Sequence, residues 1–573
     1  MLPARLPGKR SLLAGAGLLA VVLVGHPANA QFGKNLKKAP DAAPAPKAAQ
    51  LTQDAWQNVP MKAVTAAEID ALVHKILASN SIKPAPLTAD EQFIRRASLD
   101  LTGKPPTPAE TAAFVIDTDG AKRAKLIDRL LDSDAYAKHW AKYWRDVIAA
   151  KIINRQGLIA APAFETWLAE ELKKNTPWDQ ITRTLLTAEG QVRFDKPGEN
   201  GTAFFMLAYS GAEGANDRAA ETSRIFMGIQ IQCAQCHDHP FDQWKQVQFH
   251  EMAGYFARLR ERPIFEEMRI RGFELTSLPF GEHQMAQNND PGKMATTHPR
   301  FLDGKSAGRN LSDKARREAL AKAVTDKTNY WFAGAYVNRM WGELMGQSFY
   351  QPVDDMGPLK DAVFPEVLTR LAAAYRATDY DMKGMFRTMM NTQAYQRQIR
   401  LGHSTDEHLH FAAAYPRRLP ADALWESLVN VLGPLGGNRP FAPGIGGGGA
   451  GMAFGGRFGL EGEFKRLFEF DPSLKADEIE GTIPQALILM NSPAIHQRIR
   501  ATDANLLGKV LKQHPSDDQA AIAALYVQTL SRQPSDAEVA KCKKYIAKVG
   551  SRAEAFEDLL WALINSTEFQ TKR

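Results

Sequence analysis

The sequence predicts a mainly α protein in which two helical domains are joined by a turn-rich connector with room for short strands. Three observations carry this. The hydroxyl-to-glutamate spacing of helix starts recurs at Thr65–Glu68, Thr88–Glu91, Thr107–Glu110 and Ser535–Glu538, where side chain and backbone satisfy each other's orphan groups. Behind these starts the apolar residues keep a helical period, as in Ile69, Leu72, Val73, Ile76 and Leu77, or Tyr136, Trp140, Tyr143, Trp144 and Val147. Alternating strand patterns are scarce, the exception being residues 264–278.

Residues 1–30 have the form of a secretory signal. Arg5, Lys9 and Arg10 make a basic start, Leu12 to Gly25 an apolar run, and Ala28-Asn29-Ala30 a small-residue cleavage site that leaves Gln31 as the mature terminus. The apolar run is too short to span a bilayer core, and no later segment is long and uncharged enough to do so. A soluble periplasmic or secreted chain is expected, with no transmembrane segment after cleavage. The 71 Lys and Arg against 64 Asp and Glu fall closer to balance once the leader's three basic residues are removed, so nucleic acid is not an expected partner.

Residues 31–60 are rich in Ala, Pro and Lys and read as a flexible leader. The first helical domain is placed at 61–260. Thr107 and Thr176 are each followed by proline, which suits a first helical position. The connector runs over 261–310 through Asn288-Asn289-Asp290-Pro291-Gly292 and Asp303-Gly304. The second helical domain, 311–573, is interrupted by a Gly-rich stretch at 444–456 that lacks the Gly-Lys-Ser/Thr of a phosphate loop and reads as a surface loop. Leu131-Asp-Ser-Asp-Ala-Tyr136, Met390-Asn-Thr-Gln-Ala-Tyr395 and Ile564-Asn-Ser-Thr-Glu-Phe569 echo one another, as a repeated helix-turn-helix packing unit would.

One motif is sharp. With 3 Cys and 13 His in the chain, Cys233-Ala-Gln-Cys236-His237 is expected by chance about 0.0004 times. In an exported protein this spacing suits haem c: two thiols form thioethers with the vinyl groups, and the adjacent His237 reaches the iron. The preceding stretch reads helical to Gln232, which sets Cys233 and His237 on one helix face near its C-terminal end, just before Pro240. That position disfavours a redox thiolate, which gains from a helix N-terminus. Two alternatives stay open, a zinc set of Cys233, Cys236, His239 and His250, and a plain Cys233–Cys236 disulfide.

Around the motif, Asp238 and Asp242 either orient a ligating imidazole or cap the turn at Pro240. Met252, His250 and Met227 are the candidate distal iron ligands, although methionine is more often core filler. Asp354-Asp355 fits a cation site, an acid/base pair or, more commonly, a solvent-facing turn. Arg339 suits an anionic ligand or, more commonly, a buried aspartate. Trp140, Tyr143, Trp144 and Trp167 stack a sugar, line a haem or, at this helical spacing, fill the core. No hydrolase, zincin or nucleotide-binding signature is present.

The segments IDALVHKIL, FIRRASLDLTGKPPTPAE, KLIDRLLDSDAYAKHWAKYW and RIFMGIQIQCAQCHDHPFDQW resemble the planctomycete-specific secreted cytochrome-like domain. YVNRMWGELMGQ, PVDDMGPL, MFRTMMNTQAYQR, RRLPADALWESL, TIPQALILMNSP and LYVQTLSRQPSDAE resemble the uncharacterised partner domain that follows it. The resemblance covers most of residues 65–573 and implies a single-haem electron-transfer protein held on Cys233, Cys236 and His237. Its partner is a redox protein or an extracellular polymer. The runner-up is an exported metal-site protein with a structural, binding or degradative role on such polymers.

Overall fold

The computed structural model describes residues 48–150, 155–196, 198–287, 290–399, 410–435 and 460–572. The signal segment, most of the leader and the Gly-rich stretch at 444–456 lie outside the described residues. Within them the protein is mainly helical, and no helix is long and apolar enough to cross a membrane.

Helix starts follow local chemistry. Thr65, Thr107 and Ser535 each form the reciprocal capping box with the glutamate three residues on, and Pro108 occupies the first turn. Thr88 does not. Its hydroxyl donates to Gln92 Oε1 and its N–H to the carbonyl of Gln396, so the helix Asp90–Thr102 starts one residue later on an uncapped Ala89. Thr176 likewise turns its hydroxyl to Glu171, and Pro177 rather than Thr176 precedes the helix Trp178–Leu186.

The three-fold echo is a joint between helices. The hydroxyls of Ser133, Thr392 and Ser566 each donate back to the last turn of one helix, at the carbonyls of Leu130, Met389 and Leu563. Each also accepts from the N–H of the aromatic residue three positions on, Tyr136, Tyr395 or Phe569, whose ring is buried. One small side chain thus closes one helix and opens the next.

The strands expected at 264–278 are present, and there are more of them. β1 (Ala49–Gln50) pairs antiparallel with β7 (Asp361–Ala362). β2 (Gly190–Arg193), β3 (Leu259–Glu266) and β4 (Arg269–Ser277) form an antiparallel sheet in the order β2-β4-β3. β5 (His283–Gln287) and β6 (Asp290–Thr297) make a separate hairpin, and β8 (Arg417–Arg418) pairs with β9 (Thr571–Lys572) near the C-terminus.

Two corrections concern the organisation. Residues 48–60, placed in the flexible leader, are built into the fold. Thr52 caps the helix Gln53–Gln57, and Trp56 is fully buried, its ring stacked on Tyr330 with centroids 5.1 Å apart. The division between the hydrophobic cores is also not at residue 310. One core runs from Leu51 to Ala412 and takes in the central helix Tyr330–Met345 and the helices Pro365–Ala377 and Met382–Met390, while the other holds Leu419 to Phe569 with Leu99. Their bridge is the helix Asp90–Thr102. It turns Phe93, Ile94, Ala97 and Leu101 to the first core and Leu99 to the second, while buried Arg95 reaches the carbonyls of Thr529 and Phe569.

Candidate functional site

The helix Gly214–Met227 leads into the Cys-x-x-Cys-His motif but does not contain it. It stops at Gly228, whose φ of 68° supplies the left-handed C′ position that closes a helix without Cβ strain. The Gly228 carbonyl then accepts from Met356 N–H at 2.7 Å, and Ile229 bridges Met356, which draws the chain away from the helix axis. The motif sits instead on its own 3₁₀ turn, Gln232–Gln235, anchored by buried Ala234. Cys233 and His237 therefore do not share a helix face.

Cys233 and Cys236 are both exposed, and neither is in a disulfide. His237 is exposed as well, with Nδ1 2.7 Å from the carbonyl oxygen of Asp238. A carbonyl only accepts, so Nδ1 carries the hydrogen and Nε2 is the ring's acceptor. The aspartates take the capping role. Asp238 accepts from the N–H of Gln246 and from Lys245 Nζ, both at 3.0 Å, and these bonds, the Gln246 N–H first, hold its carboxyl below the usual range. Asp242 accepts from the N–H of Gln243 at 2.7 Å and lies against Gly357, where a Cβ would stand 2.0 Å from its Oδ2; burial raises its pKa.

The turn is held from behind by the helix Gln246–Ala253. Gln246 Nε2 donates to the carbonyl of Cys236 at 3.1 Å, and His250 Nε2 donates to that of Gln235 at 2.9 Å. With its Nε2 hydrogen so used, His250 accepts at Nδ1 from His283 Nε2 at 2.8 Å, and the two rings stack. Burial lowers both pKa values, that of His283 to about 4. The chain Gln235–His250–His283 thus ties the motif to the β5–β6 hairpin.

The zinc set is not assembled. Among the described residues no three His, Cys, Asp or Glu side chains come together as metal ligands, and both His250 nitrogens are occupied. His239 Nδ1 accepts from the N–H of Phe241. Of the distal candidates, Met252 is wholly buried in the core, and Met227 is buried with its sulfur facing Asn329 Nδ2 at 3.6 Å. Trp140 and Trp144 are core residues, with Trp144 stacked on Trp178 at 4.3 Å.

Asp354 is neither a cation site nor solvent-facing. It is buried between Arg224, whose Nη1 is 2.6 Å from Oδ2, and Arg339, and it also accepts from the Ser473 hydroxyl at 2.7 Å. Arg224 binds Glu221 and the carbonyl of Val147 as well. Arg339 so takes the buried-aspartate role, and the motif's approach helix is pinned to the Val353–Gly357 segment. Asp355 pairs outward with Lys360. The sequence signal for this knot was Asp354 and Arg339; Arg224 and Ser473 carried none.

Cavities of about 700 and 300 Å³ lie away from the motif, the larger between the helices Trp178–Leu186 and Asp313–Val324. Phe241 and Val247, in the segment that follows the motif, are exposed apolar side chains. The arrangement presents two exposed thiols and one exposed imidazole on a turn that is tied to the helix Gln246–Ala253.

Residues 68–261 match the family model PSCyt2, described as a protein of unknown function (DUF1549). Residues 316–444 and 471–546 match PSD1, described as a protein of unknown function (DUF1553). No curated protein and no solved structure matches the chain.

Proposed function

Because the chain belongs to the two-domain family of unknown function that these two matches define, we propose from its own motif that it is an exported protein carrying one haem c on Cys233, Cys236 and His237 and exchanging single electrons with a partner outside the cytoplasm. The observation that carries this reading is the exposure of two unbonded thiols beside an imidazole whose Nδ1 hydrogen is already committed to the Asp238 carbonyl. Cys233 and Cys236 would hold the group through thioethers, each thiol adding across a vinyl group so that no oxidant is needed, and His237 Nε2 would ligate its iron. The Asp238 carbonyl keeps the His237 ring in the tautomer that leaves Nε2 as the acceptor. The bound group would supply a reversible one-electron couple. His250 and Gln246 keep the backbone between the two sulfurs in place. The name of the first family model points the same way.

The test is export of the full chain in a host with haem-attachment machinery, followed by a denaturing gel stained for haem peroxidase activity and by intact mass. The expected result is a stained band whose mass is the chain from Gln31 plus one haem. Joint replacement of Cys233 and Cys236 by alanine abolishes the stain. Cys542→Ala leaves it unchanged, because that thiol is buried in the helix Asp536–Val549 and raised to about 11 by desolvation. An unstained band at the bare mass, from a host that loads a control cytochrome, rejects the reading.

A further inference from the structure

We infer that the outer face of the helix Ile483–Asn491 is a self-association surface, on which a second copy of this chain packs the same helix antiparallel across a two-fold axis. Seven of the nine residues in this helix are apolar, and they run all the way round it. A helix with that pattern is ordinarily covered on every side.

The fold covers one side only. Leu489 is buried in the second core, Ile488 packs against that core, and Gln485 Nε2 donates to the carbonyl of Leu467 at 2.7 Å. At about 100° per residue these three point one way, while Ile483, Ala486, Leu487 and Met490 point the other. The opposite stripe is open among the described residues, with Ile483 77%, Leu487 52% and Met490 37% exposed. Apolar side chains at i, i+3, i+4 and i+7 form a helix-packing face, not scattered surface exposure.

The charges at the two ends of the stripe identify what covers it. Before the helix, Asp477, Glu478 and Glu480 are exposed. Beyond it, His496 Nε2 donates to the carbonyl of Met490 at 2.6 Å, which sets the next helix, Pro493–Ile499, against the C-terminal end, and Arg498 and Arg500 there are exposed. Glu478 has Lys475 at 3.7 Å, while among the described residues no ion pair uses Asp477, Glu480, Arg498 or Arg500. A parallel copy would set acid on acid and base on base. An antiparallel copy sets each acidic end on its partner's basic end, twice over, which is the self-complementarity that a two-fold contact requires. The stripe is about 13 Å long, so the contact falls at the small end of specific interfaces, and dissociation in the micromolar range is expected. The surface stands apart from the haem reading, since it lies on the other core and needs no cofactor.

The experiment is sedimentation velocity on the full exported chain at low salt, from about 1 to about 200 μM. A monomer that passes to a dimer as concentration rises is expected. Leu487→Glu places a charge in the middle of the stripe on both copies and is expected to hold the chain monomeric throughout, with an unchanged melting temperature at low concentration because the side chain is exposed within one chain. Glu478→Lys with Glu480→Lys, and separately Arg498→Glu with Arg500→Glu, are each expected to weaken self-association about tenfold, and an equimolar mixture of the two double variants to restore it. The charge variants keep the test valid should Leu487→Glu fold poorly. A chain that stays monomeric over the whole range overturns the inference, as does a dimer untouched by Leu487→Glu. A Leu487→Glu monomer with a lowered melting temperature overturns it too, since the chain itself would then cover the stripe, and double variants that fail to pair on mixing overturn the antiparallel arrangement.

Discussion

Asp354 receives the Arg224 guanidinium at 2.6 Å with both side chains almost wholly out of solvent, so a carboxylate following the central helix neutralises a cation on the helix that leads to the motif. Removing it leaves Arg224 and Arg339 buried and short of their shared anion. Asp354→Ala is expected to destabilise the chain by about 3–5 kcal/mol in denaturant unfolding, the range for breaking a buried pair from one side. A loss below about 1 kcal/mol would show that the knot contributes little.

The His250–His283 pair makes the motif's support depend on pH. Burial depresses the folded pKa values, that of His283 to about 4, while an unfolded histidine titrates near 6.5. The unfolded state therefore binds more protons between these values, so the pair's contribution is full above about pH 6.5 and declines as pH falls toward 4. Hydrogen exchange at 235–237 and in the β5–β6 hairpin is expected to quicken over that window. In His283→Gln the acid-side acceleration shrinks; an unaltered pH profile in that variant contradicts the argument.

Gly357 is where the motif loop meets the Val353–Gly357 segment. A Cβ there runs into Asp242 Oδ2, the far end of that side chain, so Gly357→Ala makes the carboxylate swing aside and is expected to cost up to about 1 kcal/mol. Trimming the opposing side chain relieves the clash. Asp242→Ala is expected to cost less in the Gly357→Ala background than in the wild type, a coupling read from a double-mutant cycle. Strict additivity would place the two residues out of contact.

Trp56 tests whether the end of the leader belongs to the fold. With its ring buried against Tyr330, Trp56→Ala is expected to lower stability by about 3–5 kcal/mol by thermal or denaturant unfolding. A flexible leader would give no change.

What could be read in the sequence was local. The boxes at Thr65, Thr107 and Ser535 form because hydroxyl, glutamate and orphan N–H lie within one turn. Thr88 fails because a remote carbonyl, that of Gln396, takes its N–H. The helical extension through Cys233 fails at a local signal passed over, the Met227-Gly228 step, reinforced by a bridge to Met356 that no spacing reveals. Of the site, Cys233, Cys236 and His237 were legible as a motif, whereas the hydrogen bonds that hold their turn come from the neighbouring Asp238 carbonyl and, across the fold, from Gln246 and His250. The first core extends past the connector because residues beyond it pack on the earlier helices, Tyr336 against Trp144 and Trp178, a matter of shape that periodicity does not encode.

That misfit between sequence segments and cores has a consequence for handling. Residues 316–412 match one family model while filling part of the hydrophobic interior that residues 68–261 also build, so a fragment ending at the connector encodes only part of an interior. Expressed alone, either segment would expose that surface.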